Sequence, residues 1–146
     1  MSPRRNNLRP NRAAGHLLIL GCSDRKRAAK GKLPGLDLYD GVNFRVVRAF
    51  LNQYGWPPGL CIKILSAKYG LIDATALIET YDQQLDEASA RQLNRATLNE
   101  LARFGKPCSV FVNLGNDYLP AIHGIDRLFH GKVAYAEGAS GSRWPR

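Results

Sequence analysis

The stretch CIKILSAKYGLI (Cys61–Ile72) decides how the rest of the chain is read. It opens on an apolar run and breaks at Ser66 into a turn-like SAKYG. A strand solvated on one face alternates apolar and polar residues. A near-continuous run instead fits a strand covered on both faces, as in a parallel sheet. Three more runs have this character: HLLILG (His16–Gly21), SVFVNLG (Ser109–Gly115) and the weaker KVAYAE (Lys132–Glu137).

Helical patterns separate these runs. Phe44, Val47, Leu51 and Tyr54 fall at helical spacing, with Gly55 placed to stop the helix. Leu93, Thr97, Leu101 and Phe104 make a second face. Tyr118, Ile122, Ile125 and Phe129 make a third, with Asp117 as N-cap and Pro120 tolerated in the first turn. Strands alternating with helices predict an α/β fold with right-handed crossovers. The expectation is one domain over residues 15–146, a central four-stranded, mainly parallel sheet flanked by helices. Residues 1–14 read as a disordered basic arm.

Charge narrows the partners. Lys and Arg number 21 against 12 acids, a net +9. Such a balance points to a polyanion, most often nucleic acid, with a charge that serves solubility as the plainer reading. The arm does not hold all of the excess, because DRKRAAKGK (Asp24–Lys32) is a second basic cluster. Cys22, Cys61 and Cys108 form no Cys-x-x-Cys pair, and His16, His123 and His130 lack ligand spacing, so no metal site is expected. Reduced thiols, the lack of a hydrophobic signal core and the lack of a membrane-length apolar run point to a cytoplasmic protein.

In open α/β sheets, ligands bind outside the carboxyl ends of the strands. All four runs end in polar turns: GCSDRK, SAKYGLI, NLGNDY and GASGSRW. In the first, Ser23 and Lys26 are candidates to hold a phosphate, although the Walker A pattern is missing. Cys22 reads either as a nucleophile or as a buried inert thiol. In the second, Ser66, Lys68, Tyr69 and Gly70 offer a hydroxyl, a cation, a stacking face and a turn. Downstream, Tyr81 precedes Asp82, which can serve as a catalytic carboxylate or as an ordinary N-cap. In the third, Asn113, Asn116 and Tyr118 can meet a base or a sugar, or simply start a helix. In the fourth, Ser140, Ser142 and Arg143 can hold phosphate beside Trp144, or form a frayed terminus.

The GCSxxK, LSAKYGL and YDxxL motifs resemble those of a small bacterial and phage family akin to the YaaA-type peroxide-stress proteins. More distantly, the chain is similar to uracil-DNA glycosylase-like folds. The resemblance covers about Leu17 to Trp144. It implies a DNA-binding hydrolase that cleaves the N-glycosidic bond of a modified base, with anti-phage defence as its setting, without cofactor or metal. For that reaction Asp82 is favoured over Asp24 as the catalytic carboxylate, and Asn113 or Asn116 is expected to donate to the departing base. The motifs of uracil excision are missing, so the base is left open. Two rival functions stand beside this one: a DNA-binding stress protein without catalysis, and an enzyme acting on a free nucleoside or nucleotide.

Overall fold

The computed structural model describes residues 15–28 and 30–136. Its main sheet holds β1 (His16–Gly21), β3 (Leu60–Ser66), β4 (Gly70–Asp73), β6 (Ser109–Asn113) and β7 (Val133–Tyr135), in the order β4-β3-β1-β6-β7. β1 lies at the centre and pairs in parallel with β3 and β6, and β6 pairs in parallel with β7. β4 pairs antiparallel with β3. The expectation of a four-stranded, mainly parallel sheet is therefore corrected: the sheet has five strands and is mixed.

The reason is the SAKYGLI turn. Ala67–Tyr69 reverse the chain in three residues, and Gly70 enters the new strand at φ +77, a left-handed value that a side chain disfavours. Leu71 and Ile72 then pair with Leu65 and Ile64. A second, two-stranded antiparallel sheet joins β2 (Lys32–Pro34) to β5 (Leu77–Glu79).

Helices α1 (Gly35–Leu38) and α2 (Val42–Tyr54) fill the crossover from β1 to β3, and α3 (Glu87–Gln92) and α4 (Asn94–Ala102) precede β6. α2 ends at Gly55 as expected (φ 82). Thr97 and Leu101 are the buried residues of α4, and Phe104 packs just beyond it. The third expected helix is not continuous. Asn116–Ile122 form a 3₁₀ helix and Ile125–Leu128 form α5. Pro120 has no N–H to donate, and Gly124 at φ 100 breaks the path between the two. Gly115, not Asp117, occupies the N-cap position.

The core lies on both faces of the sheet, with Leu17, Ile19, Leu20, Ile64, Leu65, Val110 and Val112 almost fully buried. Truncating one of these to Ala costs about 2–5 kcal/mol, the loss of transfer energy plus a cavity. Lys63 is the buried charge among the described residues of this core. It is 5% exposed, and its ammonium sits 2.9 Å from Asp73 and 3.2 Å from Glu100.

α2 buries only Phe44. Along its opposite side, Val42, Val46, Phe50 and Tyr54 are 72%, 63%, 45% and 68% exposed. Their four-residue spacing places them in one stripe. Among the described residues no helix is long and apolar enough to cross a membrane.

Candidate functional site

β1 and β3 run side by side, with Gly21 opposite Leu65. The next residues, Cys22 and Ser66, therefore leave the sheet at the same edge. Leu20 is opposite Asn113 across β6, so the third strand ends there too. Of the four polar turns expected to share this edge, the register brings together those carrying Cys22, Ser66 and Asn113. Ser140 lies outside the described residues, as do residues 1–14, Ser142, Arg143 and Trp144.

Ser66 is fully buried and its hydroxyl is a hub. The backbone N–H groups of Lys68 and Tyr69 donate to Ser66 Oγ at 3.2 and 3.0 Å, which fixes the turn between β3 and β4. The Tyr39 hydroxyl donates to it at 3.1 Å. Tyr81 Oη lies 3.0 Å from Ser66 Oγ and 2.6 Å from Tyr39 Oη. The three hydroxyls thus close a triangle. With Tyr39 donating to Ser66, the remaining protons run from Ser66 to Tyr81 and from Tyr81 to Tyr39. Such a ring uses every hydroxyl proton internally, and its bonds reinforce one another. Burial raises the pKa of both phenols above the ordinary value, so both stay neutral at physiological pH.

A second contact closes over Cys22. The buried Cys22 thiol lies 3.7 Å from Tyr118 Oη, which donates to the Cys22 carbonyl at 3.1 Å. Burial and the neighbouring thiol raise the Tyr118 pKa. The Tyr118 ring lies flat enough on β1 that a Cβ at Gly21 would meet two of its carbons at 2.6 Å. Glycine there is a packing requirement.

The basic loop after β1 is stitched to the segment carrying Tyr39. Arg27 N–H donates to the Leu38 carbonyl and Asp40 N–H to the Arg25 carbonyl, each at 2.8 Å. Lys26 consequently stands over two rings, its Nζ 4.5 Å from the Tyr81 centroid and 5.8 Å from that of Tyr39. Arg48 on α2 clamps the same segment, donating to the carbonyls of Leu36 and Tyr39 at 2.8 and 2.7 Å and pairing with Asp40. Arg45 and Arg48 hold the Asp40 carboxyl below its ordinary range. Ser23 is engaged within the loop: it donates to the Arg25 carbonyl at 2.8 Å and accepts from Gly41 N–H at 3.3 Å.

The other expected residues divide. Asp24 is exposed at the mouth of the cluster, accepts from Gln84 Nε2 at 3.2 Å and adds its charge to the surroundings of Tyr118. Asp82 is exposed and makes no hydrogen bond or ion pair among the described residues. It is not the helix cap either, because Asp86 caps α3 by accepting from Ser89 N–H at 2.8 Å. Asn113 is half-buried and its side-chain amide makes no hydrogen bond among the described residues. Tyr69 packs edge-on against Tyr81, its hydroxyl donates to the Glu79 carbonyl at 3.2 Å, and the Lys68 ammonium stands 5.3 Å from its centroid. Gly70 serves the hairpin. Asn116 is exposed and lines a separate cleft with Arg91, Asn94, Leu119, Pro120 and His123.

Tyr39, Arg48 and Gln84 belong to this neighbourhood and the sequence reading missed them. The one available signal was Tyr39-Asp40-Gly41 directly before an amphipathic helix, a pairing that echoes Tyr81-Asp82. Among the described residues there is no cluster of three or more side chains able to hold a metal.

The DUF6884 family model matches residues 17–122, from β1 to the end of the 3₁₀ helix. The chain belongs to DUF6884, a family of unknown function. No curated protein and no solved structure matches it. The DUF6884 match contains all of Cys22, Tyr39, Ser66, Tyr81 and Tyr118, so the hydroxyl triangle and the covered thiol both lie within the family's defining stretch.

Proposed function

We infer that this chain binds DNA and hydrolyses the N-glycosidic bond of a modified base. The observation that supports this most is the set of polar groups carried at or just past the ends of β1 and β6. Asp24 supplies a carboxylate, Lys26 an ammonium and Asn113 an amide, around a rigid floor of hydroxyls that engage one another. Arg25, Arg27, Lys30 and Lys32 are exposed on the same loop and in β2, and none forms an ion pair among the described residues. They suit a phosphate backbone leading to the edge.

The reaction needs only water as co-reactant. The C1′–N bond breaks with its electron pair leaving on the base, and positive charge develops on the sugar. Asp24 stabilises that charge and takes a proton from the attacking water as the new C1′–O bond forms. Asn113 donates a hydrogen bond to the departing base, which takes up a proton from solvent. The sequence favours Asp82; Asp24 is preferred here because Gln84 Nε2 orients its carboxylate at 3.2 Å, whereas Asp82 has no partner among the described residues. A glycosylase-like fold, a cytoplasmic setting and a role against phage DNA belong to this same reading.

A specific observation also favours a non-catalytic DNA-binding role. Ser66, Tyr39 and Tyr81 direct their hydroxyls to one another, as a structural scaffold does. One assay separates the two. Single- and double-stranded DNA bearing modified and unmodified bases is incubated with the protein, then treated with alkali to cleave abasic sites. Scission at a modified base supports hydrolysis. Binding without scission on every substrate leaves the scaffold reading.

A further inference from the structure

The cleft between α3, α4 and the 3₁₀ helix has a volume of about 590 Å³ and is lined by Arg91, Asn94, Asn116, Leu119, Pro120 and His123. That is within the usual size of small-molecule sites, about 300–1,000 Å³. In a 3₁₀ helix, side chains three apart eclipse. Asn116 and Leu119 therefore share one face, and Tyr118, which covers Cys22, lies on another. The cleft is a different place from the strand edge.

Hydrogen-bond accounting shows what it can offer. Asn94 Nδ2 donates to the carbonyls of Pro120, Ala121 and His123 at 3.2, 3.1 and 3.0 Å. The two amide protons are shared among these three carbonyls at the end of the 3₁₀ helix, of which Pro120 also accepts from His123 N–H at 3.4 Å. With the nitrogen so engaged, the group Asn94 retains for the cleft is Oδ1, an acceptor. Asn116 and His123 make no side-chain hydrogen bond among the described residues, so an amide and a ring nitrogen are also open. Arg91 has only an exposed pairing with Glu87 at 3.0 Å, of the kind exchanged at little cost. Leu119 and Pro120 add an apolar shelf.

An acceptor beside an amide matches the donor and acceptor edge of a base. Guanidinium and imidazole match a phosphate, and a flat apolar shelf matches a ring face. A simple carboxylate would leave Asn94 Oδ1 and the shelf unused. We propose that this cleft binds one nucleotide unit, with its phosphate at Arg91 and His123 and its base on Leu119 and Pro120, edge toward Asn94 and Asn116. The unit can be a free nucleotide or one residue of a strand. The proposal does not rest on glycosidic cleavage.

The test titrates the isotope-labelled full chain with deoxynucleoside monophosphates, the matching nucleosides, inorganic phosphate and a ten-residue single strand. Amide signals of Asn94 and Asn116 are followed. The expected result is saturable shifts at both residues with a monophosphate, and at least tenfold weaker binding of nucleoside and of phosphate. Arg91→Gln and His123→Gln should each weaken the monophosphate at least fivefold with unchanged melting temperature, since both side chains are exposed. Tighter binding of the strand assigns the unit to nucleic acid, and tighter binding of the monomer assigns it to a free ligand. Phosphate binding as well as the monophosphate overturns the proposal, as does a site indifferent to both substitutions or the absence of shifts at either asparagine. A protein that yields no abasic sites yet shows these shifts retains this site and loses only the glycosidic reading.

Discussion

The Tyr39 and Tyr81 hydroxyls lie 2.6 Å apart, joining a residue that follows α1 to one that follows β5. Ser66 ties both to the end of β3. Three segments distant in sequence are thus held by one small ring of hydroxyls. Ser66→Ala removes the acceptor of two backbone amides as well as two phenol contacts, and should cost about 2–3 kcal/mol, the penalty for stranding buried polar groups. Tyr39→Phe keeps the amide contacts and should cost about 1–2 kcal/mol. Urea denaturation of the two variants checks the order. Equal losses would mean that the turn amides add nothing beyond the hydroxyl triangle.

Thiol reactivity should separate the three cysteines. Cys108 is exposed and should label within seconds to minutes with an aromatic disulfide at pH 8. Burial pushes the Cys61 thiol up to about 11, which leaves little thiolate to react. Cys22 is buried behind Tyr118. Mass mapping after a short exposure should find one fast site, at Cys108. Equally fast labelling at Cys22 would show that Tyr118 does not close over it.

Gly21→Ala should test the Tyr118 contact from the other side. Its new methyl must displace the ring, since the present approach is 2.6 Å. The expected outcome is about 1–3 kcal/mol of destabilisation by overpacking, together with faster labelling of Cys22. An unchanged labelling rate would mean that the ring yields without uncovering the thiol.

Alkaline stability should depend on Lys63. Burial alone would depress its pKa; the hydrogen bond and charge of Asp73, with help from Glu100, reverse this and hold it above the ordinary lysine value. A raised value on a cation means stability that is complete below the ordinary lysine pKa and is lost as pH rises through the raised one. Lys63→Met should cost about 1–3 kcal/mol at neutral pH, less than a fully buried pair because both carboxylates reach solvent. The gap between wild type and variant should narrow at high pH. A gap that stays constant across the alkaline range would assign the cost to packing alone.

Asp24→Asn should abolish abasic-site formation on a responsive substrate while leaving DNA affinity near that of wild type, because the carboxylate acts where charge develops. Asp82→Asn, on a side chain with no partner among the described residues, should leave the yield within about twofold. The reverse pattern would move the chemistry to Asp82. Binding should fall ~10²-fold between about 50 and about 200 mM salt if about four phosphates are neutralised. Arg25→Glu with Arg27→Glu should flatten that slope, whereas removing residues 1–11 should leave a salt-sensitive core.

The strands were legible because Leu17–Leu20 and Val110–Val112 carry continuous apolar side chains and Ile62–Leu65 breaks only at Lys63; β1 and β3 are covered on both faces as such runs imply, whereas Phe111 of β6 is 42% exposed. The edge strand Gly70–Asp73 was not legible, since four residues are too few for a period and its pairing depends on a turn. Spacing alone joined Tyr118 to Phe129 in one helix; Pro120 and Gly124 divide it. Cys22, Ser66 and Asn113 could be placed together because strand ends follow from topology. Tyr39 could not, because it reaches the edge from outside the sheet, held by bridges to Arg25 and Arg27 that leave no local pattern.

The exposed stripe of α2 governs how the chain behaves in concentrated solution. At low ionic strength a net charge of +9 keeps copies apart, and the four apolar side chains rarely meet. At about 1 M salt the screening length shrinks to about 3 Å and that barrier disappears. Val42, Val46, Phe50 and Tyr54 then become a sticky seam. The high-salt wash that would strip nucleic acid from a basic protein is therefore the step at which this one should begin to precipitate, and a charged side chain at Val46 should keep it dispersed.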